Sequence, residues 1–191
     1  MRLFVAAYPP EHVLDDLAQF AAGLSISGRV GVNTRPTLRS LWHVTLAFIG
    51  EVDEGLVSPA SEAIDRAAQD ARARPTVWFG GGGRFGRGRT SLVWAGLAGD
   101  TAGLAEISTG VRRALRARRC PYDRKPFAPH LTLARPGDRL PAEAIAADIA
   151  ALTDYRGPEW IPTSIDLVES HLGPAPWHET VHRAPLPRAG S

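Results

Sequence analysis

Trp42-His43-Val44-Thr45-Leu46-Ala47 recurs as Pro129-His130-Leu131-Thr132-Leu133-Ala134, so His-x-Thr-Leu-Ala stands twice in this chain, 87 positions apart. Along a β-strand, side chains alternate between faces. His43 and Thr45 therefore share one face, and Val44 and Leu46 the other; His130 and Thr132 are related in the same way to Leu131 and Leu133. Each copy predicts a strand with an apolar face for a core and an imidazole–hydroxyl face for something else. Their repetition predicts two related halves facing each other across a cleft, each contributing one His and one Thr.

The remaining pattern supplies elements for such halves. Arg2–Ala7 reads as a buried strand ended by Pro9-Pro10, and Glu11–Leu24 carries Val13, Leu14, Leu17, Phe20 and Ala21 at helical spacing. Residues 28–40 read as a loop, Trp42–Val52 as a strand, and Glu54–Arg74 as an Ala-rich helix stopped by Pro75. Thr76–Phe79 and Ser91–Leu97 read as strands joined through the Gly-rich segment 80–90. Thr101–Arg119 has Leu104, Ile107, Val111 and Leu115 as a helical apolar stripe. Pro126–Ala134 reads as a strand and Pro141–Leu152 as a short helix; Ile161–Val168 and Glu179–Leu186 close the chain as strands. Helices interspersed with strand pairs predict an α+β fold with antiparallel sheets. At 191 residues, with no Pro/Ser-rich linker, residues 1–191 are expected to form one domain of two lobes.

Two imidazoles facing one cleft suit phosphoryl chemistry that needs no metal. Near neutral pH one can be neutral and take a proton from water, while the other is protonated and gives one up. Threonine hydroxyls can hydrogen-bond the phosphate oxygens whose charge grows in the transition state. No carboxylate cluster or Cys/His ligand set accompanies the motifs, so neither a metal nor a cofactor is expected. Charge agrees with a phosphate-bearing partner in kind rather than in amount. Net charge is only +2, but 21 of the 22 basic residues are arginines, the type suited to bidentate phosphate contact.

With these residues in hand, the chain resembles the 2H phosphoesterase superfamily. Within it, the likeness is to the RNA 2′,3′-cyclic phosphodiesterases, also called 2′-5′ RNA ligases. The likeness rests on Arg2–Ala6 with Pro9-Pro10-Glu11, on His43–Glu51, on Phe85-Gly86, and on Pro126–Arg135. It implies a bilobal α+β fold: two antiparallel sheets flanking a central cleft, helices outside, and lobes related by a pseudo-twofold axis. It also implies metal-free hydrolysis of a terminal 2′,3′-cyclic phosphate to a 2′-phosphomonoester. His43 would protonate the departing 3′ oxygen, His130 would act as base toward water, and Thr45 and Thr132 would hold the phosphate. Arg135, five residues after His130, matches a family arginine. On an ideal strand it would face away from His130, so it must lie past the strand end or beyond a bulge. Lys125 stands where the family usually has arginine. Ser170-His171-Leu172-Gly173 fits the family, but Trp177-His178 stands where a tyrosine is common. The expected partner is RNA with a 2′,3′-cyclic phosphate terminus, tRNA fragments included. Ligation of such ends to a 5′-hydroxyl uses the same residues in reverse. A module that holds RNA ends without turnover is the alternative from a different class.

Other features read more plainly. Residues 80–88 lack the lysine of a phosphate-binding loop and read as a glycine-permitted hairpin. Trp42 and Phe127, beside the motifs, are candidates for stacking on a base. Cys120, the single cysteine, reads as an ordinary thiol, and His12 as a helix-surface residue. His178 and His182 are four apart, but Pro174 and Pro176 argue against a helix that would pair them on a metal. No apolar run approaches the ~20 residues that span a bilayer, and the first residues are too short an apolar stretch for a signal-peptide core. A cytoplasmic monomer without membrane attachment is the expectation.

Overall fold

A computed structural model describes residues 1–28, 33–72, 74–86 and 91–187. Its centre is β1 (Arg2–Ala7), in which every residue after Arg2 is buried. A strand buried this deeply must pair its backbone N–H and C=O groups on both edges, and β1 pairs antiparallel with β3 (Val44–Glu51) and β7 (Ser164–His171). Adding β8 (Trp177–Pro185) gives a sheet of order β3-β1-β7-β8. The second sheet has order β2-β6-β5-β4, built from β2 (Arg35–Pro36), β4 (Val77–Phe85), β5 (Leu92–Gly99) and β6 (His130–Arg135). All its pairs are antiparallel. One copy of the repeated motif therefore sits in each sheet. With α1 (Glu11–Ala21), α2 (Val57–Asp70), α3 (Thr101–Ala117) and α4 (Ala142–Asp154), the fold is α+β, as the pattern predicts.

The main apolar core contains residues of both sheets and all four helices, among them Leu3, Leu17, Leu46, Ile64, Phe79, Leu104, Leu131 and Leu152, and Phe4, Ala6 and Val168 form a second, smaller cluster. Helix α1 starts directly after Pro10 and buries Val13, Leu14 and Leu17; α3 begins with Asp100 accepting a hydrogen bond from the Gly103 N–H at 2.8 Å. The one deeply buried acid of the helices, Asp148 in α4, accepts from the N–H groups of Ser25 and Ile26 at 2.8 and 2.9 Å, tying α4 to the turn after α1. No helix among the described residues is long and apolar enough to cross a membrane.

The structure departs from the sequence pattern in places, each for a physical reason. The helix expected to Arg74 ends at Asp70, and Ala71 is already extended; the chain straightens well before Pro75. The strand expected from Pro126 begins only at His130, because Pro126 and Pro129 have no N–H to place in a ladder. The expected loop over 28–40 contains β2, whose Pro36 is tolerated because β2 is an edge strand; residues 29–32 lie outside the described set.

The largest correction concerns the glycine run. Gly80–Gly83 belong to β4 rather than to a hairpin loop, and the ladder to β5 carries a bulge between Phe79 and Gly82. The reason is space. A Cβ on Gly82 would come within 2.6 Å of the Leu152 Cβ on α4, and one on Gly83 would collide with the Trp94 ring. Residues 87–90 are outside the described set.

Candidate active site

The repeated motif has the same irregularity in both sheets. On β3, Val5 pairs with Ala47 and Ala6 with Thr45, so Leu46 is an extra residue; on β6, Val93 pairs with Ala134 and Trp94 with Thr132, so Leu133 is extra. The bulge reverses the alternation beyond it. Leu133 and Ala134 are both buried, and Arg135 emerges on the face of His130 and Thr132. The same step turns Phe48 onto the face of Thr45. The Leu-Ala pair common to both copies is thus the bulge itself.

His43, Thr45, His130, Thr132 and Arg135 all line one cleft of about 760 Å³. The sequence motifs named these five, and the fold brings them together. Arg35, Ser170 and His178 line it too, while Leu38 and Leu172 stand on its rim at 55 and 66% exposure. No carboxylate is among its lining residues within the described set. Arg35 lies in a stretch whose sequence reads as loop, and only its pairing with Arg135 carries it to the cleft. His178 arrives on β8 opposite Ser170, a long-range register that local pattern does not contain.

Both motif histidines are held alike. The Nδ1–H of His43 donates to the Leu41 carbonyl and that of His130 to the Ala128 carbonyl, each at 2.7 Å and each two residues upstream. A carbonyl can only accept, so Nδ1 carries the proton and the neutral ring is left with a bare Nε2. At His43 that nitrogen accepts from the Thr45 hydroxyl at 3.1 Å. Each ring also rests on aromatics. Phe4 lies 4.6 Å from His43 between centroids, with His178 at 5.2 Å; Phe85 lies edge-on at 4.9 Å from His130, with Trp94 at 5.9 Å.

These surroundings shift the basicity of the rings. Burial pushes His43 down to about 4; the Leu41 carbonyl opposes this, and the positive charges of His178 and His130 add to it. Burial also lowers His178, with His171 contributing. His43 is therefore neutral in the free protein at pH 7, with Nε2 ready to accept a proton once an anion arrives beside it.

The two stacking candidates separate. Trp42 is only 7% exposed, belongs to the core, and donates its indole N–H to the Thr37 carbonyl at 3.0 Å, so it has no ring face to offer a base. Phe127 is half-buried and lines a neighbouring groove of about 640 Å³ that His130 also borders, together with Phe85 and Trp94.

Groups outside the cleft have plainer surroundings. Cys120 is buried, and burial raises its thiol above the ordinary range. His12 is exposed on α1. His178 and His182 lie on a strand, and His182 hydrogen-bonds Asp65 at 2.8 Å. Among the described residues one group gathers ligand atoms of the kind a cation takes: Glu169, His171 and Glu179, within 4.8 Å of one another. They share the sheet face opposite Ser170 and His178, so this group does not open on the cleft.

Comparison with known proteins agrees with this geometry. The family model described as 2′-5′ RNA ligase superfamily matches residues 30–174, a span containing both motifs. A Geobacillus stearothermophilus protein named RNA 2′,3′-cyclic phosphodiesterase is 35% identical over 150 residues, 76% of this chain and 45% of that protein. The chain thus spans less than half the length of that relative. A Thermus thermophilus protein of the same name is 30% identical over 180 residues, 91% of this chain and 84% of that one. A crystal structure from Thermus thermophilus superposes with a TM-score of 0.70 at 27% identity, covering 97% of this chain and 98% of that one. Motif, bulge and cleft thus coincide with a family match running through both halves, and the chain belongs to the 2′-5′ RNA ligase superfamily.

Proposed function

We propose that this chain hydrolyses the 2′,3′-cyclic phosphate at the 3′ end of RNA to a 2′-phosphomonoester, with His43 and His130 as the acid and base. The observation that carries this reading is the matched pair of imidazoles. Each spends Nδ1–H on a backbone carbonyl two residues upstream, and both line one cleft with no carboxylate among its described lining residues. A binding module has no use for two tautomer-fixed imidazoles on opposite sheets, whereas proton transfer to and from a phosphodiester needs that pair.

In the proposed reaction a water oxygen attacks phosphorus and its proton passes to His130 Nε2. The bond from phosphorus to the 3′ oxygen breaks, and His43 Nε2–H protonates that oxygen. Thr45 and Thr132 donate to the non-bridging oxygens, and Arg135, further along the same face, adds a cation that draws the phosphate-bearing substrate to the cleft. The proton account closes with the two imidazoles, so the scheme requires no metal. A basicity lowered to about 4 means that His43 gains its proton only with substrate present, drawn by the phosphate's negative charge. The alkaline limb of kcat, set in the complex, should therefore lie at higher pH than that of kcat/KM, set in the free protein.

The test is incubation of a short RNA ending in 2′,3′-cyclic phosphate, in EDTA, with the product identified by phosphorus NMR. The expected product is the 2′-monophosphate. His43→Ala and His130→Ala should each lose roughly 10²- to 10⁴-fold in rate. Full activity in both variants, or dependence on added metal, would reject the scheme. A 2′-5′ linkage formed with 5′-hydroxyl RNA would instead assign the same residues to ligation. Action on tRNA fragments, as a monomer in the cytoplasm, belongs to the same proposal.

A further inference from the structure

β2 is only two residues long, and its register sets Arg35 directly opposite Arg135. Cross-strand partners share a face, and like charges placed directly opposite one another destabilise an antiparallel pair. Both side chains are exposed, both line the cleft, and neither makes an ion pair or side-chain hydrogen bond among the described residues. The rest of the cleft lining offers them no carboxylate among the described residues. Two arginines paired across adjacent strands and lining one cleft offer an incoming anion two cations at once.

The position of the pair identifies which anion. His43, Thr45, His130 and Thr132 already surround the place for the reacting phosphate. Arg135 lies three residues beyond Thr132, about 10 Å of strand, and Arg35 lies one strand further out, on the sheet edge. The terminal nucleotide of an RNA carries a second phosphate one ribose away from its 2′,3′-cyclic group, on its 5′ oxygen. We propose that Arg35 and Arg135 form a second anion site that holds this 5′ phosphate group, so that the cleft selects RNA ends over isolated nucleoside cyclic phosphates. The inference rests on the function proposed above and adds to it a substrate class and one residue, Arg35.

The experiment compares three substrates: a nucleoside 2′,3′-cyclic phosphate with a free 5′-hydroxyl, the same compound bearing a 5′-phosphate, and a dinucleotide ending in the cyclic phosphate. In the wild type, kcat/KM should rise about tenfold on adding the 5′-phosphate, and at least as much for the dinucleotide. Arg35→Ala should erase most of that advantage, and Arg35→Gln should do the same. Because the substitution removes a like-charge contact, the melting temperature should not fall. Equal turnover of the first two substrates, or an advantage that survives in Arg35→Ala, overturns the proposal. So does a gain seen only with the dinucleotide, which would assign the preference to the second base or sugar. If the wild type turns over none of the three, the proposed activity fails. The anion site is then read by binding alone, from the salt dependence of affinity for a dinucleotide bearing a 2′-phosphate. Arg35→Ala should flatten the slope of log K against log salt by roughly 0.7; an unchanged slope overturns the site.

Discussion

An imidazole with one nitrogen committed to a carbonyl has a single nitrogen left for chemistry, and His43 reaches that state at a cost to its own basicity. Its lowered value, about 4 against an ordinary 6.5, means that between those limits the folded chain binds fewer protons than the unfolded one. Stability linked to His43 is then fully present above pH 6.5 and is lost as pH falls toward 4. At about 1.4 kcal/mol for each pH unit separating the two values, the full effect is of order 3 kcal/mol. Melting temperatures measured from pH 7 to pH 4 should drop more steeply for the wild type than for His43→Asn, which has no ring to charge. Superimposable curves would mean that burial does not hold His43 neutral. The identities and shared face of His43, Thr45, His130 and Thr132 are legible in the sequence because period two is a local property. The role of Trp42 is not, because its burial depends on what the rest of the chain packs over it.

At the scale of elements, the glycines of β4 and the bulges of β3 and β6 show where pattern reading stops. A run of four glycines carries no hydrophobic periodicity, so it reads as a loop. It forms a strand because Leu152 of α4 and the Trp94 ring occupy the space where side chains would stand. Gly82→Ala and Gly83→Ala should each cost about 1–3 kcal/mol by overpacking. Gly110→Ala, on α3 with nothing within 4 Å of the new methyl, should gain about 0.5–1 kcal/mol by restricting the unfolded chain. Urea midpoints of the three variants measure this, and a Gly82→Ala as stable as Gly110→Ala would show that α4 does not press on β4. The bulges were foreseeable only in part. Arg135 had to pass a strand end or a bulge to reach the cleft, but the duplicated Leu-Ala as the site of the bulge emerges from the two registers alone.

At the scale of the molecule, the two sheets are joined by parts that cross between them. Helix α3 follows β5 of one sheet, yet the Ser108 hydroxyl on it donates to the Leu46 carbonyl of β3 in the other, at 2.6 Å and fully buried. Leu46 is the extra residue of the first motif's bulge, so a helix anchored in one half contacts the motif strand of the other. Ser108→Ala removes the donor with almost no change in volume and should cost about 1–3 kcal/mol. The rate should fall as well, because the bulge aligns His43 and Thr45. A stable variant with unchanged kcat would show that the strand keeps its shape without the serine.

The α+β class, the two motif strands and the faces on which their histidines and threonines stand are all written in local residue order. These follow from alternation over a few residues, which any partner strand must respect. Tertiary structure decided which groups share the cleft with them. Arg35 meets Arg135 through a two-residue pairing, His178 arrives through the β7–β8 register, Trp42 is drawn into the core, and His43 is desolvated against Phe4. Each of these depends on contacts between segments far apart in the chain. Register and burial are properties of the packed whole, set by how all the apolar faces are satisfied at once.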